Sequence, residues 1–145
     1  MWWEKAAAQG YAKAQYNLGC MYDKGEGVKQ DFLQGKFWLE KAAAQGDAQA
    51  QNNLGAKYGK GESVKQDLLQ AKLWYEKAAA QGNARAQVNL GFIYFGDEGV
   101  KQDLSQAAFW WEKAAAQGHA QAQNNIGLMY YKGWGVKQDF SQAKF

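Results

Sequence analysis

The chain has 145 residues, 47% apolar and 15% aromatic, which is enough for a packed core and too apolar for a disordered segment. Its net charge of +3 comes from 17 basic and 14 acidic residues scattered without a like-charge run, which excludes a nucleic-acid stripe and an acidic tail. A single cysteine, Cys20, excludes an internal disulfide and a thiolate metal cluster, and no apolar run approaches the roughly 20 residues of a membrane span.

The chain opens with "MWWEKAAAQG", whose last seven letters recur. "EKAAAQG" ends at Gly10, Gly46, Gly82 and Gly118, an interval of 36 residues, so one unit is written about four times. Each unit begins with a helix. In the second it runs from about Ala48 to Tyr58, with Ala50, Gln51, Leu54, Gly55 and Tyr58 on one side. Gly19, Gly55, Gly91 and Gly127 recur in mid-helix, where glycine costs roughly 1 kcal/mol against alanine, so they predict a backbone approach that a side chain would block.

A loop follows, carrying "GVKQD" at Gly27 to Asp31, Gly99 to Asp103 and Gly135 to Asp139, with Ser63 to Asp67 as a variant. It reads as a turn, an apolar anchor (Val28, Val64, Val100, Val136) and a helix cap. No Gly-Lys-Ser/Thr follows that would make its glycines a phosphate cradle. The second helix spans Asp67 to Gln81 in the second unit. Asp67 accepts from free backbone N–H groups and Gln70 reaches back, a spacing repeated at Asp31/Gln34, Asp103/Gln106 and Asp139/Gln142. Leu68, Ala71, Trp74, Tyr75, Ala78 and Ala79 form its core stripe. Helical hairpins repeating at this period leave apolar surface that only the next hairpin covers, so the expected fold is all-α, an α-solenoid filling residues 1–145 as one domain.

The unit resembles the Sel-one-like (Sel1-like) repeat, a relative of the tetratricopeptide repeat. The resemblance rests on A-x-x-x-L-G-x-x-Y in the first helix (Ala50, Leu54, Gly55, Tyr58), G-x-G-V-x-x-D in the loop (Gly25 to Asp31, Gly133 to Asp139) and A-x-x-W-x-x-K-A-A-x-x-G in the second (Ala71 to Gly82). It covers essentially the whole chain. Departures are Ser63 for the loop glycine, Asp97 where other copies have glycine, and Gly35 where others have alanine. The resemblance implies a right-handed superhelix serving as an adaptor in protein complexes, in bacteria often at the envelope or towards a host.

Positions that vary between copies are those the scaffold does not fix. On the first helices, opposite the core stripe, the late units carry Val88, Phe92, Phe95, Leu128 and Tyr131. They lie beside an asparagine ladder of Asn17, Asn53, Asn89 and Asn125, with Tyr16 at the early end. By analogy with related solenoids this side is concave, so these ten residues are the expected contacts for a peptide or protein segment. Packing of Phe92 and Leu128 between adjacent first helices, and a structural hydrogen bond for the asparagines, are the competing readings. On the second helices Phe37, Leu73, Phe109 and Phe145 are expected to be partly covered.

The terminal segments match only part of a second helix each, which predicts either head-to-tail self-association through Trp2, Trp3, Phe140 and Phe145 or a place within a longer array. The lone His119 and Cys20 lie far apart, so no catalytic residue, metal ligand or cofactor is expected, and hydrolase activity remains only a minor alternative. Lys36/Glu40 and Lys72/Glu76 read as solvated helix salt links. No nucleic-acid partner and no membrane insertion are expected. The chain should be soluble, and cytoplasmic or, if a leader is removed, periplasmic or secreted.

Overall fold

A computed structural model describes residues 2–62 and 64–143. Among them are eight helices and no strands: α1 (Trp2–Ala8), α2 (Ala12–Lys24), α3 (Phe32–Ala44), α4 (Ala48–Lys60), α5 (Leu68–Ala80), α6 (Ala84–Phe95), α7 (Leu104–Ala116) and α8 (Ala120–Lys132). The residues group into two compact units that meet between Gln81 and Gly82 in sequence, with α1 to α5 in the first and α6 to α8 in the second.

The recurring pentapeptide is a two-sided joint. Asp31, Asp67 and Asp103 sit at helix N-caps in extended backbone, and each Oδ1 accepts from a backbone N–H of the first turn at 3.1 Å. The reciprocal half of the expected capping box does not form. The backbone N–H of each Asp is already donated to the carbonyl of Tyr22, Tyr58 or Tyr94 at the end of the preceding helix, so Gln34, Gln70 and Gln106 have nothing to reach back to. The glutamine inside the pentapeptide has the work instead. Gln30, Gln66, Gln102 and Gln138 donate Nε2 to the carbonyls of Asp23, Gly59, Phe95 and Tyr131 at 2.8–2.9 Å, satisfying last-turn acceptors. Asp139 repeats the cap, accepting from Ser141 and Gln142, but residues 140–143 form a turn rather than a helix.

Gly25, Gly61 and Gly133 close α2, α4 and α8 in the left-handed region, at φ 71°, 76° and 68°. The equivalent position in the third copy is Asp97, and there α6 stops one residue earlier, at an extended Gly96. A Cβ disfavours the left-handed cap, so the helix ends another way.

In the first unit, Ala7, Ala14 and Leu18 form one core cluster and Leu39, Ala42, Ala43, Ala50 and Leu54 another. The mid-helix glycines are close-approach sites. A Cβ on Gly19 would lie 2.9 Å from Leu39, and one on Gly55 would lie 2.6 Å from the Tyr75 ring. Tyr75 fills the space so fully that burial pushes its hydroxyl from 10.0 up to about 12. Glutamines bind one hairpin to the next: Gln15 and Gln51 donate to the carbonyls of Ala7 and Ala43 at 3.1 Å, while Gln45 and Gln81 donate to Gln15 and Gln51 at 2.7 and 2.8 Å. The departure at Gly35 has a steric cause, since a Cβ there would meet Asp23 Oδ1 at 2.1 Å. That carboxylate pairs at 2.9 Å with Lys57, whose side chain is only 6% exposed.

In the second unit Val88, Ala107, Ala108, Trp111, Ala114, Ala122, Ile126 and Met129 form the core, with Val136 packed against it. The close approach is tightest here, with a Cβ on Gly91 falling 2.2 Å from Trp111 Nε1. Gln117 repeats the glutamine link, donating to Gln87 Oε1 at 2.9 Å and to the Gly82 carbonyl at 3.0 Å. On the outer sides of the second helices, Phe37, Leu73 and Phe109 are about half exposed. The cover over the two rings includes neighbours on their own helices: Lys41 and Trp38 lie over or against Phe37, and Lys113 and Trp110 against Phe109. Phe145 lies outside the described residues. Both anticipated helix pairs are present, Lys36–Glu40 at 2.8 Å and Lys72–Glu76 at 3.6 Å.

Candidate functional site

In the second unit, α6 and α8 bring Phe92, Phe95, Asn125 and Leu128 to one place. Together with Trp111, Met129 and Trp134 they line a cavity of about 130 Å³. The aromatic wall is continuous. Trp111 packs edge to face on Phe92 at 5.2 Å between ring centroids and against Phe95 at 5.5 Å, and Phe95 reaches Trp134 at 6.1 Å. The rim is open: Phe92 and Leu128 are 42% and 45% exposed, and Tyr131, later on α8, is 51% exposed. Phe92 and Leu128 therefore do not simply disappear between first helices. Tyr131 extends the apolar surface to Phe140, with ring centroids 5.5 Å apart.

Val88 does not belong with them. It is 3% exposed and part of the core, while its carbonyl accepts from Trp111 Nε1 at 3.1 Å. The start of α6 buries this position against α7, so a partner cannot reach its side chain. Conversely, Trp111, Met129 and Trp134 were not among the contact residues expected from sequence. Trp134 was legible: it stands where the other three copies have Glu26, Glu62 and Glu98. Trp111 was hidden because an aromatic on a second-helix core stripe reads as packing, and only the geometry shows one edge of its ring lining a cavity.

The equivalent surface of the first unit is more polar and more filled. Asn53 donates Nδ2 to Cys20 Sγ at 3.7 Å and also hydrogen-bonds Tyr16. Tyr16 and Cys20 pack against the core formed by Leu39 and Leu54. Burial is the largest influence on both groups and raises the Tyr16 hydroxyl and the Cys20 thiol, so little thiolate is present near neutrality. Asn17 and Asn89 are half-buried on their helices. His119 occupies the α8 N-cap without accepting a capping bond, whereas Asp47 and Asn83 at the same position cap α4 and α6. Among the described residues no three His, Cys, Asp or Glu side chains gather as a metal site would require. No helix among the described residues is long and apolar enough to cross a membrane.

Trp2 and Trp3 stand edge to face at 5.6 Å and, with Lys5, Ala6, Gln9, Tyr11 and Ala14, border an open groove of about 520 Å³. Trp2 is 77% exposed, while Trp3 packs partly against the core of Ala7, Ala14 and Leu18.

Helical hairpins repeated every 36 residues and linked by glutamines and close-approach glycines define an α-solenoid repeat protein. The chain belongs to the Sel1 repeat family, whose repeat matches residues 1–11, 12–47, 48–83, 84–119 and 120–145. Proteins of this family are generally interaction modules and non-catalytic scaffolds. Among solved structures it is similar to a protective antigen with an SLR fold present in uropathogenic Escherichia coli strains, with 40% identity, TM-score 0.95, and 98% of this chain and 30% of that one covered. It is also similar to a Sel1 repeat protein from Oxalobacter formigenes, with 37% identity, TM-score 0.91, and 98% and 58% covered. Helicobacter pylori cysteine-rich protein B matches at 28% identity and TM-score 0.65, over 81% of this chain and 90% of that one. The chain thus spans less than two thirds of the first two relatives. No curated protein matches it.

Proposed function

We propose that this chain is a non-enzymatic scaffold that binds a peptide or protein segment on the face of its first helices, the side the family resemblance makes concave. The observation that carries the reading is the open rim of Phe92 and Leu128 around an aromatic-walled cavity, with the exposed Tyr131 on the same helix as Leu128. Solvent-facing apolar residues grouped around a pocket, rather than scattered singly, are what a partner anchor needs. Within the second unit Asn89 and Asn125 are the polar contacts of this reading; Tyr16, Asn17 and Asn53 are the corresponding candidates of the first unit, where Asn53 already serves Cys20 and Tyr16.

The test is selection of displayed peptides on the full chain, followed by affinity measurement against Phe92→Glu/Leu128→Glu. Both sites are exposed, so folding should hold while affinity falls at least about tenfold. Absence of any enriched peptide, or binders indifferent to the double substitution, would refute the reading.

A second reading, head-to-tail self-association, draws on the exposure of Trp2 and the apolar groove beside Trp3, with the exposed Phe140 as the opposing surface; Phe145, the other expected contact, lies outside the described residues. Light scattering over a wide concentration range tests it. Molar mass should climb for the native chain and stay constant for Trp2→Ala/Trp3→Ala, and a constant native mass would end this reading.

A further inference from the structure

Within the cavity of the second unit one polar group has no partner. Asn125 Nδ2 is buried and makes no hydrogen bond. The repeat itself supplies the comparison. Asn53, at the same place in its unit, meets Cys20 and Tyr16, which lie 33 and 37 residues before it. Counting back by the same steps from Asn125 arrives at Phe92 and Val88, and neither side chain has an acceptor. The asparagine is retained while the groups that satisfy its counterpart are replaced by hydrocarbon. A buried donor facing hydrocarbon is costly, and a ligand acceptor removes the cost on binding.

The other walls specify the rest of the ligand. Phe92, Phe95, Trp111, Leu128, Met129 and Trp134 present rings and aliphatic groups. The indole N–H of Trp111 is already spent on the Val88 carbonyl. At about 130 Å³ the space is somewhat smaller than the ~150 Å³ apolar cavity known to hold benzene, a match for one branched aliphatic side chain. The mouth is open, so the chain carrying that side chain can remain outside.

We infer that this cavity is an anchor subsite for a single leucine-class side chain of a bound peptide, with a main-chain carbonyl of that peptide accepting from Asn125 Nδ2. The assignment rests on the peptide-binding reading above and names its anchor. Phe92 and Leu128 form the lips, Trp111 and Met129 the floor, and Asn125 orients the peptide.

The experiment is an NMR titration of the isotope-labelled full chain with N-acetyl-leucine methylamide, and in parallel with N-acetyl-glycine methylamide, which has the same carbonyls and no side chain. The leucine probe should shift the indole N–H signals of Trp111 and Trp134 and the Asn125 side-chain amide, saturating on the order of 1 mM as expected for a fragment of this size. The glycine probe should bind at least about tenfold more weakly, reflecting the lost apolar burial. Asn125→Leu, which keeps the volume and removes the donor, should weaken the leucine probe about three- to tenfold. Unmoved indole signals, equal response to the two probes, or undiminished binding by Asn125→Leu would each overturn the assignment. The wild-type titration decides even if that variant fails to fold. Selected peptides that bind while the leucine probe leaves the cavity signals unmoved would remove the anchor and keep the docking face. A cavity filled by the probe with no peptide selected would do the reverse.

Discussion

Asp23, Gly35 and Lys57 depart together from the residues of the other units, and their geometry makes a quantitative prediction. Lys57 stands where other copies have Met21, Ile93 and Met129, Asp23 where they have Gly59, Phe95 and Tyr131, and Gly35 where they have alanine. The side chains of Lys57 and Asp23 are 6% and 23% exposed, and their charged atoms are 2.9 Å apart. Removing one partner of a fully buried pair costs about 3–5 kcal/mol, because the remaining charge is stranded. Asp23 borders solvent, so water can partly replace its carboxylate, and Asp23→Ala should cost roughly 2–4 kcal/mol. Asp23→Ala/Lys57→Met removes both charges and restores an apolar residue proven at that position in two other units, so it should lie within about 1 kcal/mol of the native chain. Gly35→Ala should change sign with background. In the native chain its Cβ meets Asp23 Oδ1 at 2.1 Å and the substitution destabilises; beside Asp23→Ala that clash is gone, leaving the Gly19 carbonyl at 3.1 Å and a helix-propensity gain of up to ~1 kcal/mol. Urea unfolding followed by tryptophan fluorescence and circular dichroism measures the native chain, these four variants and Lys57→Met, which completes the double-mutant cycle. A coupling energy for Asp23 and Lys57 below about 0.5 kcal/mol, or Gly35→Ala effects equal in both backgrounds, would refute the argument.

The α8 N-cap offers a gain: His119→Asn should introduce the bond that Asn83 makes to Ala86 N at 2.9 Å and raise stability by about 1 kcal/mol, read from the urea midpoint. An unchanged midpoint would mean that His119 contributes something a cap cannot replace. Tyr75 predicts alkaline lability. Its unfolded hydroxyl ionises near 10.0 and its folded one near about 12, so its contribution is intact below pH 10 and is lost as pH rises through 12. Tyr75→Phe should flatten that decline, and a phenolate absorbance titration should lose its highest-pH component in that variant while the raised hydroxyls of Tyr16 and Tyr130 still titrate late. Simultaneous ionisation of every tyrosine near pH 10 in the folded protein would contradict the burial of Tyr75.

Most of the hairpin was legible because it is local. Period, helix positions and Asp caps depend on residues within a few positions of each other, and the close-approach glycines show by their recurrence at one place in each copy, as Gly55 does against Tyr75 of its own hairpin. The unit glutamines were visible as letters without a role. Gln51 shares a helix side with Leu54 by periodicity, but its partner, the Ala43 carbonyl, and that of Gln15, the Ala7 carbonyl, come from the neighbouring helix and show only in the fold. Gly35 is visible in the sequence only as a departure from alanine, and in the fold it is the space that admits Asp23.

The sequence alone determined the class of this protein, since one unit repeated at 36 residues permits little besides a stack of helical hairpins, and its inventory left catalysis unsupported. Tertiary structure decided which varying residues face outward. Val88 and Phe92 share a helix face by periodicity, yet α7 buries one and leaves the other open, because the outcome depends on where the neighbouring helix crosses. The cavity, its unpaired Asn125 and the part played by Trp134 follow from that same crossing, which a pattern of letters along one chain does not contain.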